Sequence, residues 1–378
     1  MKWHVFNPQH DLALGTGDGF NAPTEALKMA RDCAVLPLWY AEEGDGVYAP
    51  DTPSVWLEET RERFPALRGI AIGDAFGPSD TLAPWGVDSE VSRRFGLKGG
   101  ADTERTRAMS HRRHTRTAML LLQERLGFAL PEPAEELTRL ADAVAFAERR
   151  REWVFKAPLS GSGRGIMAGS GTPDSITMAR VANIIGRQGS IMGERRLDKV
   201  QDFAMETRVT ASGECVFEGY SLFGTRSGTP VYDGNTLLPD PEIETLLAAR
   251  LPPGTLESIR RALTGLLPEL LPGYAGPVGV DMLLYRHADG GLRVDPMVEM
   301  NLRLTMGWVA RRFFDRFCDP CSTGALRLTR FRTEKERERF RLAPAPVVSG
   351  GRVVSGVMSL TPVTVATAYA VTASVNPR

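Results

Sequence analysis

One segment, residues 153–167, constrains the fold of this 378-residue chain more than any other. Its first three residues are apolar and predict a short strand that ends at Lys156. A loop with Gly161, Gly163 and Gly165 follows, and Ile166 begins the expected return strand. Glycines let backbone N–H groups approach phosphate oxygens, and a lysine at a strand end supplies a positive charge. The segment is therefore a candidate polyphosphate site, although a plain hairpin fits the same residues.

The loop differs from three well-known nucleotide-binding loops. It is not a Walker A loop, because no Gly-Lys-Ser/Thr stands at the required spacing. It fits a Rossmann loop poorly, because a strand rather than a helix follows it. A protein-kinase loop also joins two strands, but the chain contains neither His-Arg-Asp nor Asp-Phe-Gly.

A second polar pattern lies about 120–150 residues further on, in two segments that predict a hairpin around the turn at residues 287–291. In a strand, alternate residues share a face, so Glu299, Asn301 and Arg303 point the same way. The alternating apolar residues are Val298, Met300 and Leu302. Carboxylate and amide oxygens suit Mg²⁺, and a guanidinium suits phosphate or carboxylate. Asp281 on the neighbouring strand offers another oxygen. The alternative is a solvated sheet face with a Glu299–Arg303 ion pair.

The order of these features resembles the ATP-grasp superfamily: a strand lysine, a glycine loop, an Asp on a strand, a hairpin and Glu-x-Asn-x-Arg. The resemblance covers about residues 105–310. It implies ATP between two α+β lobes, with Lys156 and Arg303 as catalytic residues. The implied loop contacts to ATP are Lys156, Gly161, Ser162, Gly163, Arg164 and Gly165. The implied metal ligands are Asp281, Glu299 and Asn301, for two Mg²⁺ ions or, alternatively, Mn²⁺.

The same resemblance implies a hinge that holds the adenosine. By resemblance, Glu194 would meet the adenine amino group and Asp202 the ribose, since both fit the spacing of that superfamily, and Glu206 is a second candidate for the ribose. An exposed charged hairpin is the alternative. In that superfamily a basic residue on the preceding helix, usually a lysine, often contacts the phosphates, and Arg113 is our candidate among the basic residues of 111–116. A solvated basic helix face fits that segment equally well.

A polar segment after the first predicted strand is the candidate site for substrate chemistry outside the ATP site. Ligands of α/β sheets bind where strands end. Asn7, His10 and Asp11 stand there and could hold a carboxylate or an amine. A surface turn explains the segment equally well.

Composition and charge exclude some classes of function. The formal net charge is zero, which argues against a mainly electrostatic nucleic-acid binder. No apolar run is long enough to span a bilayer, and the start of the chain lacks a secretory signal. We therefore expect a cytoplasmic protein without nucleic-acid or membrane partners. Cys318-Asp-Pro-Cys321 is a lone pair of cysteines without nearby histidines, and we expect reduced thiols there.

The segment lengths predict several units. Strands alternating with helices before residue 100 favour a parallel sheet. We expect an N-terminal α/β domain at residues 1–104 and a central region with the first ATP-grasp lobe at 105–205. A C-terminal lobe with the metal site is expected at 206–342, and a β extension at 343–378. The patterns also predict a strand at 34–40, one helix at 101–127 and one helix at 135–151.

The resemblance implies an ATP-dependent carboxylate–amine ligase that works through an acyl phosphate. Its substrates would be a small-molecule or peptide acid and an amine, and a homodimer is possible. Two other functions remain open. One is a small-molecule kinase on the same scaffold, and the other is a non-catalytic nucleotide-binding protein.

Overall fold

The computed structural model of the chain describes residues 1–17, 19–96, 100–161, 163–225 and 231–378. Its strands form three sheets, two with four strands and one with nine. Within these ranges, none of the helices combines the length and the apolar character needed to cross a membrane.

The N-terminal sheet is parallel, as predicted, with the strand order β3-β2-β1-β4. Its strands are β1 (Lys2–Val5), β2 (Gly46–Tyr48), β3 (Ala71–Gly73) and β4 (Thr81–Pro84). The helices of this part are α1 (His10–Thr16), α2 (Thr24–Asp32), α3 (Ser54–Arg63) and α4 (Ser89–Phe95). The polar segment after β1 is thus only partly a loop, because α1 begins at His10.

The prediction of a strand at residues 34–40 is wrong. Residues Leu36–Trp39 form a buried 3-10 helix, with Pro37 in its first turn. A short, continuously apolar run fits a buried helical turn as well as a strand, so the pattern could not separate the two. Trp39 packs edge-on against Phe313 and Phe317, and its indole N–H donates to Leu360 O at 2.6 Å. The N-terminal unit therefore shares a core with the C-terminal part of the chain.

The single helix predicted at 101–127 is two helices, α5 (Gly100–Met109) and α6 (Arg113–Arg125). The chain breaks helical pairing between them, and the backbone N–H of Arg112 donates to Pro158 O instead. The helix predicted at 135–151 begins as a strand, β5 (Glu135–Leu137), before α7 (Leu140–Arg149).

The small central sheet has the order β5-β8-β6-β7 and is antiparallel. Its other elements are β6 (Glu152–Lys156), β7 (Ile166–Ser170), α8 (Ser175–Gln188) and β8 (Ile191–Arg195). The strand, loop and return strand predicted for residues 153–167 are confirmed as β6, the glycine loop and β7.

The nine-stranded sheet has the order β13-β12-β9-β10-β11-β14-β17-β16-β15. Its first part comprises β9 (Asp198–Val209), β10 (Cys215–Thr225), β11 (Tyr232–Leu237), α9 (Asp240–Ala248), α10 (Thr255–Leu270), β12 (Gly276–Arg286) and β13 (Leu292–Asn301). Its second part comprises α11 (Met306–Phe317), β14 (Ser322–Arg330), α12 (Glu334–Arg341), β15 (Val347–Ser349), β16 (Arg352–Ser359) and β17 (Tyr369–Pro377). The predicted boundary between residues 205 and 206 falls inside β9. The predicted β extension supplies three strands of this same sheet.

Candidate active site

One face of the large sheet is apolar and the other is polar along β9, β12 and β13. On the apolar face, Phe203, Met205, Val280 and Met282 are buried in a common core. Because side chains alternate along each strand, the residues between them lie on the opposite face. That opposite face carries the candidate metal ligands.

Cross-strand pairing orders the polar face into rows. Asp281 on β12 lies directly opposite Glu299 on β13. In the next row, Gly279 lies between Asn301 on β13 and Glu206 on β9. The predicted acid, acid and amide are thus brought together on adjacent strands.

A third row lies on the other side of the Asp281–Glu299 pair. Here Leu283 is flanked by Asp295 on β13 and Asp202 on β9. Burial raises the pKa of Asp295 to about 6, and the negative charge of Glu194 adds to this rise. The positive charge of Lys156 acts in the opposite direction. Sequence reasoning missed Asp295, although simple alternation along the strand would have placed it on the same face as Glu299.

The electrostatics of the central row favour a cation. Burial raises the pKa of Asp281 well above its usual value, and the charges of Glu299 and Glu206 add to the rise. The Arg303 guanidinium and a hydrogen bond with Asn301 act in the opposite direction. Two carboxylates that repel each other are stabilised when a cation binds between them.

Mg²⁺ fits this donor set. Within the described ranges, no group of three or more His, Cys, Asp or Glu side chains is arranged to hold a metal ion. Mg²⁺ does not need one, because it usually takes one or two carboxylates together with waters and substrate phosphates. Asp281, Glu299 and Asn301 supply two carboxylates and one amide oxygen.

Lys156 ends β6 in the small sheet, where only a small part of its side chain is exposed. Its Nζ lies 2.5 Å from Glu194 Oε2 on the adjacent strand β8. The predicted phosphate lysine and the predicted adenine-binding acid are therefore ion-paired with each other. A bound nucleotide would have to replace or share this contact.

The glycine loop is a tight structure closed by backbone hydrogen bonds. Ala157 N–H donates to Gly165 O at 3.0 Å, and Arg164 N–H donates to Gly161 O at 3.1 Å. Gly163 and Gly165 have φ values of +73° and +75°, which side chains other than glycine rarely adopt. Arg164 is exposed. Ser162, also predicted to contact ATP, lies outside the described residues.

Arg112 connects residues 157–160, just before the glycine loop, with Glu299 on β13, and sequence reasoning missed it. Its guanidinium donates to Glu299 Oε1 at 2.5 Å, to Ser160 Oγ at 2.8 Å and to Ala157 O. The side chain is 4% exposed. Arg113, our candidate, is 54% exposed and pairs with Glu136 at 3.0 Å. The structure thus brings Arg112, not Arg113, to Glu299.

A periodicity signal in α6 could have found Arg112. The buried residues of this helix are Thr115, Ala118, Met119 and Leu122. Arg112 precedes Thr115 by three positions and so lies on the same face, whereas Arg113 does not.

We expect Arg112→Met to lower the free energy of unfolding by about 2 kcal/mol, because it leaves Glu299 without its buried partner. Arg113→Met is the matched control and should change it by less than about 0.5 kcal/mol, since exposed ion pairs contribute little. Urea denaturation of both variants measures this. Equal effects of the two substitutions would contradict the assignment.

The N-terminal candidates divide into one residue at the site and two that support the fold. Asp11 accepts from Arg303 Nε at 2.9 Å and from its Nη2 at 2.7 Å. Burial would raise the pKa of Asp11, but the Arg303 guanidinium holds it below the usual value. A Cβ added to Gly161 would lie 2.0 Å from Asp11 Oδ2. Asp11 is therefore wedged between the glycine loop and Arg303.

Asn7 and His10 are directed toward Asp88 instead. Asn7 Nδ2 donates to Asp88 Oδ2 at 2.9 Å and to Gly86 O at 2.8 Å. His10 Nδ1 lies 3.4 Å from the same Asp88 oxygen, and His10 is 1% exposed. Asp88 caps α4 by accepting from Val91 N–H. These contacts fix the turns after β1 and β4.

The two candidates for the ribose occupy different rows. Asp202 lies beside Leu283 and pairs with Lys199 at 2.6 Å. Glu206 is 1% exposed and accepts from Ser221 Oγ at 3.0 Å and Thr305 Oγ1 at 2.9 Å. Asp202 is thus in the row nearest Asp295 and Glu194, whereas Glu206 is enclosed beyond Asn301.

Burial raises the pKa of Glu206 from 4.5 to about 7, against the hydrogen bonds from Thr305 and Ser221. The folded protein therefore binds a proton that the unfolded chain releases between about pH 5 and pH 7, so stability falls as pH rises. The glutamine of the Glu206→Gln variant cannot ionise, so its free energy of unfolding should not show this fall. Between about pH 5 and pH 8, the free energy of unfolding of the variant should therefore rise relative to that of the unsubstituted protein by up to about 3 kcal/mol.

Urea denaturation at both pH values measures this difference, with Glu257→Gln on the exposed surface of α10 as the control. Parallel pH dependence of the unsubstituted protein and Glu206→Gln would show that Glu206 is ionised in the folded state at both pH values.

No protein-family model matches the sequence. No curated protein matches it either. Solved structures do match in fold. The biotin carboxylase domain of 2-oxoglutarate carboxylase from Hydrogenobacter thermophilus, crystallised with MgADP, ADP and bicarbonate, gives a TM-score of 0.53 at 14% identity. That match covers 100% of this chain and 86% of that one.

Two further matches agree. Biotin carboxylase of Campylobacter jejuni gives a TM-score of 0.52 at 11% identity, over 98% of this chain and 86% of that one. N5-carboxyaminoimidazole synthetase of Staphylococcus aureus, complexed with ADP, gives 0.50 at 9% identity, over 100% and 93%. The fold predicted from the strand lysine, the glycine loop and the Glu-x-Asn-x-Arg strand is confirmed: the chain has the ATP-grasp fold.

Proposed function

We propose that the protein is an ATP-dependent carboxylate–amine ligase that acts on small molecules or peptides and releases ADP and phosphate. The observation that carries the proposal is the pairing of two chemical sets across one cleft. Asp281, Glu299 and Asn301 lie on the sheet face, and Arg112 reaches Glu299 from the glycine-loop side at 2.5 Å. Carboxylates that can bind Mg²⁺ on one side of a cleft, and cationic side chains that can bind phosphates on the other, suit a magnesium nucleotide.

The nucleotide would lie between the two sheets. Lys156 and Arg112 would hold its phosphates, and Glu194 with Asp202 would meet the adenosine. Two of the matched enzymes were crystallised with ADP, one of them with magnesium, and this supports the same cofactors here. Asp281, Glu299 and Asn301 would hold Mg²⁺, which neutralises phosphate charge when bound.

The proposed chemistry has two steps. A carboxylate oxygen of the acid substrate attacks the γ-phosphorus of ATP, and ADP leaves, so that an acyl phosphate forms. The amine nitrogen then attacks the acyl carbon, the amide bond forms, phosphate leaves and the amine gives up a proton. Arg303 would stabilise the negative charge that develops in both steps. The glycine loop, which contacts Asp11 through Gly161, would keep water from the acyl phosphate.

An isotope experiment tests this proposal. The protein is incubated with ATP, Mg²⁺ and pooled amines together with ¹⁸O-carboxylate acids, and mass spectrometry reads the products. The proposal predicts ADP, a condensed product and one ¹⁸O atom in the released phosphate, because the acyl oxygen leaves with phosphorus. A stable phosphorylated substrate without free phosphate would indicate a kinase. Nucleotide binding without turnover in any pool would contradict an enzymatic role.

A further inference from the structure

A second cavity, of about 450 Å³, lies at the carboxyl ends of β1 and β2. The described residues that line it include none of Lys156, Arg303 or the acids of the polar sheet face. It is large enough for a small organic ligand, since typical ligand pockets measure about 300–1,000 Å³.

The position of the cavity in the sheet is one where α/β proteins bind ligands. In the order β3-β2-β1-β4, the strands on the two sides of β1 belong to connections that run in opposite directions. A crevice opens at such a switch point, outside the carboxyl ends of the strands. Gln9 lines the cavity from the turn after β1, and Arg94 lines it from α4, which follows β4.

One wall presents a guanidinium that lies close to two aromatic rings. Arg94 Cζ lies 5.4 Å from the ring centroid of Tyr48 and 5.1 Å from that of Phe95. Those two rings pack edge to face at 5.1 Å. Arg94 forms no ion pair with any residue that the structure describes. Both rings lie within cation–π distance of the guanidinium, and its N–H groups remain available to a carboxylate.

Another part of the lining offers hydrogen-bond acceptors. Gln9 is 3% exposed, and its Oε1 is buried without a partner among the described residues. Its Nε2 donates to Glu90 Oε2 at 3.1 Å. Asp51 is exposed and also lines the cavity. A buried acceptor without a donor is costly, so these groups suit a ligand that carries an ammonium or amide N–H.

The rest of the lining narrows the ligand class. Leu27 is 48% exposed although it is apolar, and it faces the cavity together with the buried Val35. Three acids and two arginines line the cavity, so a ligand with several phosphates would meet net repulsion. Charge and apolar area together suit a molecule with one anionic group, one cationic group and an apolar part.

We propose that this cavity binds a zwitterionic amino acid or short peptide, with its carboxylate on Arg94, its ammonium on the side of Gln9 and Asp51, and an apolar side chain against Leu27. The proposal concerns a site separate from the nucleotide cleft, and it stands whether or not the ligase activity is found.

Calorimetric titration of the full chain with the dipeptide L-alanyl-L-leucine tests the proposal. The N-acetylated and C-amidated forms of the same dipeptide remove one charge each, and each should bind about tenfold more weakly. Arg94→Gln should weaken binding of the free dipeptide about tenfold and should abolish the difference between the free acid and the amide. Arg94 is exposed at the end of α4, so the variant should fold.

Arg93→Gln is the matched control, because Arg93 is exposed on the same helix and does not line the cavity. It should bind the dipeptide as the unsubstituted protein does, and saturating MgADP should not displace the dipeptide. The proposal is overturned if millimolar dipeptide gives no binding heat, if Arg94→Gln binds it unchanged, or if MgADP competes with it.

Discussion

Glu299→Gln is expected to lower the rate of ADP formation by about 10²–10³ while the protein stays folded. Glu299 lies opposite Asp281, and the repulsion between their carboxylates is what favours a metal ion in this row. Glutamine keeps the size of the side chain and still accepts from Arg112. The fold should therefore survive while the proposed metal site loses one negative charge.

Measurements of ADP affinity with and without Mg²⁺ distinguish a role of Glu299 in metal binding from a role in the structure of the nucleotide site. In EDTA, Glu299→Gln and the unsubstituted protein should bind ADP with similar affinity. Added Mg²⁺ should strengthen binding to the unsubstituted protein and have little effect on the variant. Glu257→Gln, a surface substitution, should behave as the unsubstituted protein. A variant whose affinity responds fully to Mg²⁺ would show that the metal is held elsewhere.

Lys156→Met is expected to lower the rate of ADP formation by about 10² and to weaken ADP binding both with and without Mg²⁺. Lys156 is nearly buried at the end of β6, and its ion pair with Glu194 at 2.5 Å holds it at the edge of the cleft. Methionine is an unbranched side chain only one atom shorter than lysine, and it removes the charge. The loss therefore reports on phosphate binding rather than on packing.

Lys335→Met serves as the control, because Lys335 is exposed on α12. Circular dichroism should show the same fold in all three proteins. If Lys156→Met bound ADP as tightly as the unsubstituted protein, Lys156 would not contact the nucleotide, even if Glu299→Gln behaved as predicted.

The sequence predicted those parts of the fold whose periodicity was unambiguous. The hairpin of β12 and β13 was predicted from its turn at residues 287–291, and alternation along the second strand placed Glu299 and Asn301 on one face. The glycine loop was predicted because three glycines follow a short apolar run that ends in a lysine. The buried 3-10 helix at Leu36–Trp39 was missed, because an apolar run of that length has no period to measure.

The ion-pair partners of the site residues could not be predicted from local sequence patterns. Arg303 pairs with Asp11, 292 positions away, and not with Glu299. Glu299 pairs with Arg112, 187 positions away. Such contacts depend on how three sheets pack, and strand periodicity does not carry that information. Arg112 is the exception, because the periodicity of α6 could have indicated it, although the sequence analysis chose Arg113.

A crystal structure of the full chain with Mg²⁺ and a non-hydrolysable ATP analogue tests the central claim most directly. The account predicts a metal ion bound to Asp281, Glu299 and Asn301, and phosphates in contact with Lys156. A nucleotide bound elsewhere, or a metal ion that contacts none of these three side chains, would contradict it.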